Sequence, residues 1–529
     1  MPLPLTPIRF LERAATVFSK KIGIVCRGKE FTYGEFSTRC GRLAGALKRD
    51  GIQAGDRVAY LSYNTHQLLE GYYGVPLAGA IVMPLNVRLP VEELVQILNH
   101  AEARMLMFEN DFARHVDLFR RSCPSIEKYV TLDEAVPEAD LTSEGMLDGA
   151  VPADLDVRSI DEDSIAEVFY TSGSTGTPKG VALSHRTLYL HGLSVATLIR
   201  DPNTAVDLHT IPLFHANGWG RPQASTMLGT RQVMVRRFEP SAVLRLIEQY
   251  RATEMSLVPT MANALLNAPD LRQHDLSSMR TIMIGGAAAS PELIERMETA
   301  FGCDCWAGYG LTETVPVICC ARQKPGLEYA SPKERYRRQA MTGWPVPGVE
   351  LLVVDARMNE VPRDGRTIGE IVVRGDHLMS GYYREPEATA AVFSGEWFHT
   401  GDMAVWDEEM YFHIVDRSKE IIISGGENIS SIEVERAIFA HPDVLECAVV
   451  AAPDEKWGEV PAAVVVLKPG SALTNEALLE FVSPKLGHFK LPRQIQFAAE
   501  PLPKTGTGKI RKREIREQFW TGRERRVQG

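Results

Sequence analysis

Cysteine is scarce in this sequence and is not arranged as a metal site. The 529 residues include eight cysteines. The two close groups, Cys303/Cys305 and Cys319/Cys320, lack the C-x₂-C spacing of a zinc site and have no accompanying histidine pair. We therefore expect buried free thiols, which persist in a reducing compartment.

Long apolar runs are also absent. The longest, around residues 75–85, is interrupted by Pro76 and Pro84 and is too short for a membrane-spanning helix. Residues 1–5 contain no charged segment followed by an apolar leader, and the final residues 527–529 are not a peroxisomal address. The sequence predicts a cytoplasmic protein without a membrane span.

An excess of basic charge is missing as well. The chain has 58 basic and 68 acidic residues, a formal charge of −10. This balance argues against general binding of nucleic acid or of anionic membranes, because both need a basic surface. The C-terminal end is locally basic between Arg511 and Arg526, where interleaved acids favour an exposed helix face.

What the sequence does contain is the alternation of strand and helix patterns typical of an α/β fold. A hairpin over residues 22–32 is followed by a capping-box pattern at Thr32 and Glu35, which predicts a helix ending at Gly51. Further strand and helix patterns alternate up to residue 132, which favours a mainly parallel sheet covered by helices. Thr281–Ile284 reads as a buried strand that leads to an N-cap at Ser290.

The chain is too long for a single core, so we expect two domains. Short strands between Gly343 and Gly401 indicate a β-rich subdomain of the first. A compact α+β pattern follows, with the boundary near Asp416. The predicted organisation is a large α/β N-terminal domain of residues 1–415 and a small, mobile α+β C-terminal domain of residues 416–529.

A stretch rich in hydroxyls and glycine follows the apolar residues Val168 and Phe169. It reads YTSGSTGTPKG over residues 170–180. Free backbone N–H groups, short hydroxyl side chains and one lysine, Lys179, are what a polyphosphate requires. The spacing differs from a Walker P-loop, in which lysine directly follows the second glycine. A surface linker is the alternative interpretation.

Residues 170–180 resemble the phosphate loop of the adenylate-forming superfamily, which contains acyl-CoA synthetases, firefly-type luciferases and adenylation domains of peptide synthetases. Four further stretches resemble motifs of this superfamily and occur in its order. They are GYGLTE at 308–313, TGD at 400–402, DRSKE at 416–420 and PKTGTGKI at 503–510. The likeness covers essentially the whole chain.

The resemblance implies an ATP-dependent carboxylic acid–CoA ligase of the AMP-forming type. The acid attacks the α-phosphorus of ATP to give an acyl-adenylate and pyrophosphate, and CoA then takes the acyl group. The implied substrates and cofactor are a small carboxylic acid, ATP, CoA and Mg²⁺, with Glu313 as the metal ligand. The implied nucleotide site consists of Thr171, Ser172, Gly173, Ser174, Thr175, Gly176, Lys179, Gly286, Ala287, Ala288, Gly308, Tyr309, Gly310, Leu311, Thr312, Asp402, Ile414, Arg417 and Lys509.

Some of these side chains also have ordinary explanations. Asp402 can accept both ribose hydroxyls, or it can form an Asx turn. Glu313 is either the metal ligand or a surface acid on a helix. Lys509 is implied to neutralise charge between the acid and the α-phosphate, which would contribute about 3–4 kcal/mol; a solvent-exposed lysine is the alternative. The implied catalytic residues are Lys509, His215, Thr171 and Glu313.

Two-step chemistry in this superfamily involves rotation of the C-terminal domain, and the resemblance implies that Asp416 is the hinge. Rotation would replace Lys509 by the turn Ser424-Gly425-Gly426, beside which CoA passes. Trp457 either flanks the nucleotide end of CoA or belongs to the core of the small domain.

The stretch PLFHANGWG at 212–220 resembles the acyl-pocket motif, especially that of medium-chain and methylthiopropionate-type ligases. The implied pocket residues are His215, Asn217, Trp219, Gly286, Gly310 and Thr314. A core histidine is the alternative for His215. Gly310 lacks a side chain where acetate-specific relatives carry tryptophan, so we expect a pocket longer than two carbons. The side chain of Trp219 would form the floor of a pocket for a short or medium acyl chain, or would stack on an aromatic acid.

The favoured substrate is therefore a short- or medium-chain fatty acid or a methylthioalkanoate. An aryl acid–CoA ligase, an enzyme that passes its acyl group to an amine or carrier protein, and a catalytically silent nucleotide-binding protein are the alternatives. No aspartate stands between Phe214 and Gly220 to pair with an amino-acid ammonium group, which argues against amino-acid activation. The sequence leaves the oligomeric state open, a homodimer included.

Overall fold

The computed structural model describes residues 3–171, 178–417, 420–424, 427–454, 456–504 and 510–520. The chain divides into two compact units. The larger contains Met1–Leu351 and Val373–Phe398, and the smaller contains Leu352–Val372 and His399–Gly529. The functional boundary expected near Asp416 stays a prediction.

The helices are α1 (Ile8–Val17), α2 (Tyr33–Arg49), α3 (His66–Leu77), α4 (Val91–Ala101), α5 (Val116–Ser122), α6 (Ser143–Leu147), α7 (His185–Ala196), α8 (Arg221–Leu228), α9 (Pro240–Tyr250), α10 (Pro259–Leu266), α11 (Pro291–Phe301), α12 (Pro332–Gln339), α13 (Pro386–Ala390), α14 (Ser431–Phe439), α15 (Asn475–Val482) and α16 (Lys512–Trp520). Short 3₁₀ turns lie at Asn110–His115, Val157–Ser159, Leu271–Gln273, Thr312–Thr314, Ser483–Lys485 and His488–Lys490.

The strands are β1 (Ile22–Cys26), β2 (Lys29–Thr32), β3 (Arg57–Leu61), β4 (Ile81–Pro84), β5 (Met105–Phe108), β6 (Lys128–Thr131), β7 (Leu141–Thr142), β8 (Ile165–Thr171), β9 (Lys179–Ser184), β10 (Val206–His209), β11 (Arg231–Met234), β12 (Glu254–Leu257), β13 (Thr281–Ile284), β14 (Asp304–Gly310), β15 (Val317–Cys320), β16 (Trp344–Pro345), β17 (Val349–Val354), β18 (Gly369–Gly375), β19 (Gly381–Tyr382), β20 (Phe393–Ser394), β21 (Trp397–Trp406), β22 (Phe412–Arg417), β23 (Ile422–Ser424), β24 (Glu427–Ile429), β25 (Val444–Asp454), β26 (Gly458–Leu467) and β27 (Gln494–Ala498).

Two sheets organise the larger unit. Counted over the described residues, one has nine strands in the order β16-β15-β14-β13-β12-β10-β11-β1-β2. Its central strands, β14 to β1, are parallel. The other has eight strands in the order β19-β9-β8-β4-β3-β5-β6-β7, of which β8 and β9 form an antiparallel pair. Apolar side chains of the helices cover both sheets and form the cores of this unit.

The smaller unit contains a sheet in which β24, β23, β26 and β25 follow one another and β27 pairs with β26. Side chains of β25 alternate between its two faces. Cys447, Val449 and Ala451 pack in one apolar cluster with α14 and α15. Ala448 and Val450 pack in the opposite cluster, with Ile515 of α16. Period-two alternation of apolar residues on both faces explains why this strand reads as a continuous apolar run.

Local sequence signals are confirmed where they were strongest. Thr32 caps α2 and forms the predicted capping box with Glu35. Ser290 caps α11, with Pro291 at its first position. The predicted α/β class, with short strands after residue 343 and an α+β C-terminal region, is also confirmed. Among the described residues, no helix has both the length and the apolar character needed to cross a membrane.

Candidate active site

The phosphate-loop motif joins two paired strands. Thr171 ends β8 and Lys179 begins β9, and the two residues are opposite each other in the antiparallel ladder. Val168 and Phe169 are buried, so the strands that flank the motif belong to the core of a sheet. The alternative of a surface linker concerns the residues between these two strands and stays open. Ser172, Gly173, Ser174, Thr175 and Gly176 lie outside the described residues.

Lys179 and Glu313 approach the same tyrosine. The Tyr382 hydroxyl donates a hydrogen bond to Glu313 Oε1 over 2.9 Å, and the Lys179 Nζ atom lies 4.8 Å from the centre of the Tyr382 ring. Glu313 is half-buried in the 3₁₀ turn Thr312–Thr314, and its role as the metal ligand stays a prediction. The structure thus brings together two predicted site residues and a third that the sequence did not indicate.

The environment of Glu313 suits a hard divalent cation. One carboxylate oxygen accepts the bond from Tyr382, and the other has no protein partner among the described residues. Mg²⁺ is usually held by one or two carboxylates together with phosphate oxygens of the substrate. A single half-buried carboxylate with one available oxygen, near a lysine-bearing phosphate motif, fits that pattern.

Small residues line the carboxyl ends of two neighbouring parallel strands. Gly286, Ala287 and Ala288 follow β13 and are exposed, and residues 308–313, at the end of β14 and just after it, are half-buried. The strands are in register, with Ile284 opposite Ala307. In α/β sheets, ligands bind outside the carboxyl ends of such strands. The predicted adenine-side residues therefore lie together at an edge suited to a ligand.

The acyl-pocket motif contains an unusual backbone turn. Five consecutive residues, Ala216 to Gly220, have positive φ values between 43° and 71°. Three of them are not glycine, and the left-handed conformation is costly for such residues. The side chain of Asn217 supports the turn, because its Oδ1 accepts a 2.7 Å hydrogen bond from the N–H of Gly220.

This turn places Trp219 against the glycines that follow β13. The indole is 5% exposed, and a methyl group on Gly285 would come within 3.1 Å of it. On Gly286 the corresponding distance is 3.5 Å. A side chain on Gly285 would therefore crowd the tryptophan, whereas a methyl group on Gly286 would meet it at an ordinary contact distance. The predicted pocket residues Trp219 and Gly286 do lie together.

A buried carboxyl group on β8 also supports this turn. Sequence reasoning did not predict it. Glu167 is 1% exposed and accepts hydrogen bonds from Asn217 Nδ2 (3.3 Å) and Gln223 Nε2 (3.2 Å). Burial raises the pKa of Glu167 from 4.5 to about 8, although both amide donors favour the charged form. Because Glu167 precedes Thr171 by four residues, it connects the phosphate-motif strand to the acyl-pocket turn.

The expectation that Gly310 makes room for acids longer than two carbons must be corrected. A Cβ atom at this position would lie 1.6 Å from the carbonyl oxygen of Pro316. The glycine thus permits close approach of two backbone segments, and its missing side chain carries no information about pocket length. Thr314 is also engaged elsewhere: it is fully buried, and its hydroxyl donates to the carbonyl of Pro316 over 2.6 Å.

The exposure of two aromatic site candidates excludes their alternatives. His215 is exposed at the start of the left-handed turn, so it is not a core histidine. Trp457 is 41% exposed, so it is not a core residue of the smaller unit. Ser424 is opposite Gly458, the residue that follows Trp457, in the β23–β26 ladder. Gly425 and Gly426 lie outside the described residues.

The ribose candidate and the hinge candidate occupy paired strands of the smaller unit. Asp402 is 2% exposed, and its Oδ1 lies 2.6 Å from Arg417 Nε across β21 and β22. Asp402 is therefore a buried strand residue, and its role at the ribose stays a prediction. Glu370, which sequence reasoning missed, accepts a 2.9 Å hydrogen bond from the N–H of Gly401. Ile414, also predicted to contact the nucleotide, is half-buried on β22.

Asp416 is fully buried, and its carboxylate accepts hydrogen bonds from the backbone N–H groups of Arg417 and Ser431. Lys512 lies close by, 2.8 Å from Glu435 and 2.7 Å from the Ser431 hydroxyl. Lys509 itself lies outside the described residues. Lys504 and Ile510, the described residues on either side of it, form an isolated antiparallel β-bridge.

The fold and these clustered residues define an adenylate-forming enzyme, and comparison with known proteins agrees. Residues 11–383 match the family described as AMP-binding enzyme, and residues 433–509 match the AMP-binding enzyme C-terminal domain. The chain belongs to this family of AMP-binding enzymes.

Two curated relatives and one solved structure illustrate the range of similarity. A long-chain fatty acid–CoA ligase of Thermus thermophilus is 39% identical over 96% of this chain and 95% of its own length. A 4-hydroxybutyrate–CoA ligase of Metallosphaera sedula is 34% identical over 97% and 94%. The crystal structure of an anthranilate CoA ligase in complex with anthranoyl-AMP is similar at a TM-score of 0.85, with 28% identity and 98% of both chains covered.

Within the family, this chain is an AMP-forming acid–thiol ligase that uses ATP and CoA. The predicted family, fold and enzyme class are therefore confirmed.

Proposed function

We propose that this enzyme converts short- and medium-chain carboxylic acids to their CoA thioesters. The observation that carries the substrate range is the position of Trp219. Its indole lies on Gly285 and Gly286 at the carboxyl end of β13, where an acyl chain would enter beside the nucleotide. A tryptophan held there by a left-handed turn would close the pocket at a short or medium chain length.

The first half-reaction forms an acyl-adenylate. A carboxylate oxygen attacks the α-phosphorus of ATP, and pyrophosphate leaves with the bonding electrons. Lys179 and the hydroxyls of Thr171, Ser172 and Thr175 hold the departing phosphates, while Lys509 neutralises charge between the acid and the α-phosphate. Glu313 would hold Mg²⁺, which supplies charge neutralisation on the phosphate oxygens.

The second half-reaction forms the thioester. The sulfur of CoA attacks the acyl carbonyl carbon, the mixed anhydride bond breaks, and AMP leaves while the thiol proton passes to solvent. Ser424, Gly425, Gly426 and Trp457 would flank CoA in this step. Asp402 and Arg417 bind the nucleotide throughout, and Asp416 is the proposed pivot between the two steps.

A second substrate class has specific support. The exposed side chain of His215 lies four residues before the aromatic side chain of Trp219, and aromatic rings stack favourably in offset or edge-on arrangements. Aryl acids are therefore the second candidate. The similar solved structure that contains anthranoyl-AMP, an aryl acyl-adenylate, supports this alternative.

The test is a screen of the purified enzyme with ATP, Mg²⁺ and acids from C2 to C12, methylthio acids and aryl acids, with hydroxylamine to trap the activated acyl group. We expect turnover of C3–C8 acids. Turnover of C16 with failure of all C3–C8 and aryl acids would contradict the pocket assignment. A parallel measurement of CoA-dependent AMP release separates this enzyme from one that transfers to an amine or carrier protein.

A cytoplasmic location is also proposed. None of the eight cysteines, all within the described part of the chain, forms a disulfide, as expected in a reducing compartment. Cell fractionation that placed the protein in an oxidising compartment would contradict it.

A further inference from the structure

Tyr382 occupies a short edge strand that sequence reasoning did not connect with the site. Strand β19 pairs antiparallel with β9, with Tyr382 opposite Val181. The N–H of Met379, just before this strand, donates a 2.8 Å hydrogen bond to the carbonyl of Glu313. The N–H of Tyr382 is itself bonded to the Thr389 hydroxyl at 2.8 Å. The backbone on both sides of the tyrosine is thus fixed relative to Lys179 and Glu313.

The side chain of Tyr382 contacts two groups of opposite charge. Its hydroxyl donates to Glu313 Oε1 at 2.9 Å, and its ring face lies 4.8 Å from the Lys179 ammonium. A phenol is suited to both contacts, because its O–H is a donor and its ring face attracts cations.

Both charged groups contact Tyr382. Among the described residues, no ion pair joins Lys179 to Glu313. A direct pair would consume the cation needed for phosphate and the carboxylate oxygen needed for a metal ion. Among the described residues, Glu313 Oε2 has no protein partner and the Lys179 ammonium forms no ion pair, so both groups can meet a ligand.

We propose that Tyr382 is a positioning residue for the ATP site, which orients the Glu313 carboxylate through its hydroxyl and holds the Lys179 ammonium on its ring. This inference rests on the proposed roles of Glu313 in metal binding and of Lys179 in phosphate binding. It predicts that the two functions of one side chain can be separated by substitution.

Two variants separate the hydrogen bond to Glu313 from the ring contact with Lys179. Tyr382→Phe removes the hydroxyl and keeps the ring, whereas Tyr382→Leu removes both contacts. Tyr383→Phe is the matched control, because it deletes the same atom from the adjacent residue, which faces His100. Metal binding is measured directly by Mn²⁺ electron paramagnetic resonance in the presence of ATP. Binding of metal-free ATP is measured by calorimetry, and the KM for ATP is measured separately from kcat.

For Tyr382→Phe we expect Mn²⁺ binding to weaken about tenfold, since a hydrogen bond to a charged group is lost, with metal-free ATP binding unchanged. For Tyr382→Leu we expect the same loss and, in addition, about threefold weaker metal-free ATP binding, since the cation–π contact is lost. Unchanged Mn²⁺ binding by Tyr382→Phe, or an equal loss in Tyr383→Phe, would overturn the proposal. Thermal unfolding of each variant ensures that only folded protein is compared.

Two further variants distinguish this inference from the proposed function. If Glu313→Gln leaves Mn²⁺ binding unchanged and Lys179→Met leaves ATP binding unchanged, the proposed roles of those residues fail. If both variants weaken binding while Tyr382→Phe and Tyr382→Leu do not, only the role of Tyr382 fails. Adding Tyr382→Phe to Glu313→Gln should cause no further loss of Mn²⁺ binding, because the bond it removes is to Glu313.

Discussion

Replacing Trp219 by alanine should let the acyl pocket accept longer acids. The indole is 5% exposed and rests on Gly285 and Gly286, two residues that have no side chain to fill the space. The left-handed turn is held independently by Asn217, which bonds both Gly220 and Glu167. The substitution therefore removes the proposed floor without removing the support of the turn.

The size of the effect follows from the volume released. The indole occupies roughly the space of four methylenes, and burying each methylene contributes about 0.8 kcal/mol. An acid with four additional carbons should therefore gain about 3 kcal/mol, or roughly 100-fold in kcat/KM relative to a short acid. The variant should also lose about 3–5 kcal/mol of unfolding free energy from the cavity, and a long acid that fills it should restore part of that loss.

The assay compares kcat/KM for butanoate, octanoate and dodecanoate in the wild-type enzyme, Trp219→Phe and Trp219→Ala. Trp344→Phe is the control, because Trp344 lies on β16, where its indole N–H donates to the carbonyl of Arg322. We expect a graded shift toward dodecanoate in the order Phe, then Ala. An unchanged ratio of dodecanoate to butanoate in a folded Trp219→Ala enzyme would refute the assignment of Trp219 as the pocket floor.

Three other perturbations test separate parts of the account. Lys509→Ala should abolish adenylate formation and spare the conversion of pre-made acyl-adenylate and CoA to thioester; equal loss in both half-reactions, measured by rapid quench, would exclude the proposed role. Asp416→Pro fixes φ at the proposed pivot and should slow thioester formation more than adenylation in single-turnover experiments, whereas unchanged kinetics of both steps would count against a hinge there. Glu167 has its pKa raised from 4.5 to about 8 by burial, so between these values the folded state holds a proton that the unfolded state has released. Its contribution to stability is therefore full below about pH 4.5 and falls as pH rises toward 8, by at most about 1.4 kcal/mol per pH unit. Urea unfolding at several pH values should show a flatter dependence in Glu167→Gln, and an identical slope in both proteins would contradict a buried neutral acid.

The parts of the fold that could be predicted from the sequence depend on neighbouring residues. The capping box at Thr32 and the cap at Ser290 followed from spacings of three residues or fewer, and both are confirmed. The order of five motifs predicted the family, because each motif is local and their succession is preserved. These signals need no knowledge of how distant segments pair.

The supporting contacts could not be predicted, because they join residues far apart in the chain. Tyr382 meets Glu313 across 69 positions, and Glu167 meets Asn217 and Gln223 across 50 and 56. No local pattern marks such partners. Gly310 shows a different limit: a glycine in a strand indicates either open space or close backbone approach, and only the 1.6 Å distance to the Pro316 carbonyl oxygen decides between them.

The most direct test of the central claim is a single-turnover experiment with ATP, Mg²⁺ and octanoate, first without and then with CoA. Without CoA, the account predicts one acyl-adenylate and one pyrophosphate per active site. Addition of CoA should convert the bound adenylate to octanoyl-CoA and release AMP in equal amount. Absence of the adenylate, or its transfer to an amine while CoA has no effect, would contradict an AMP-forming acid–CoA ligase.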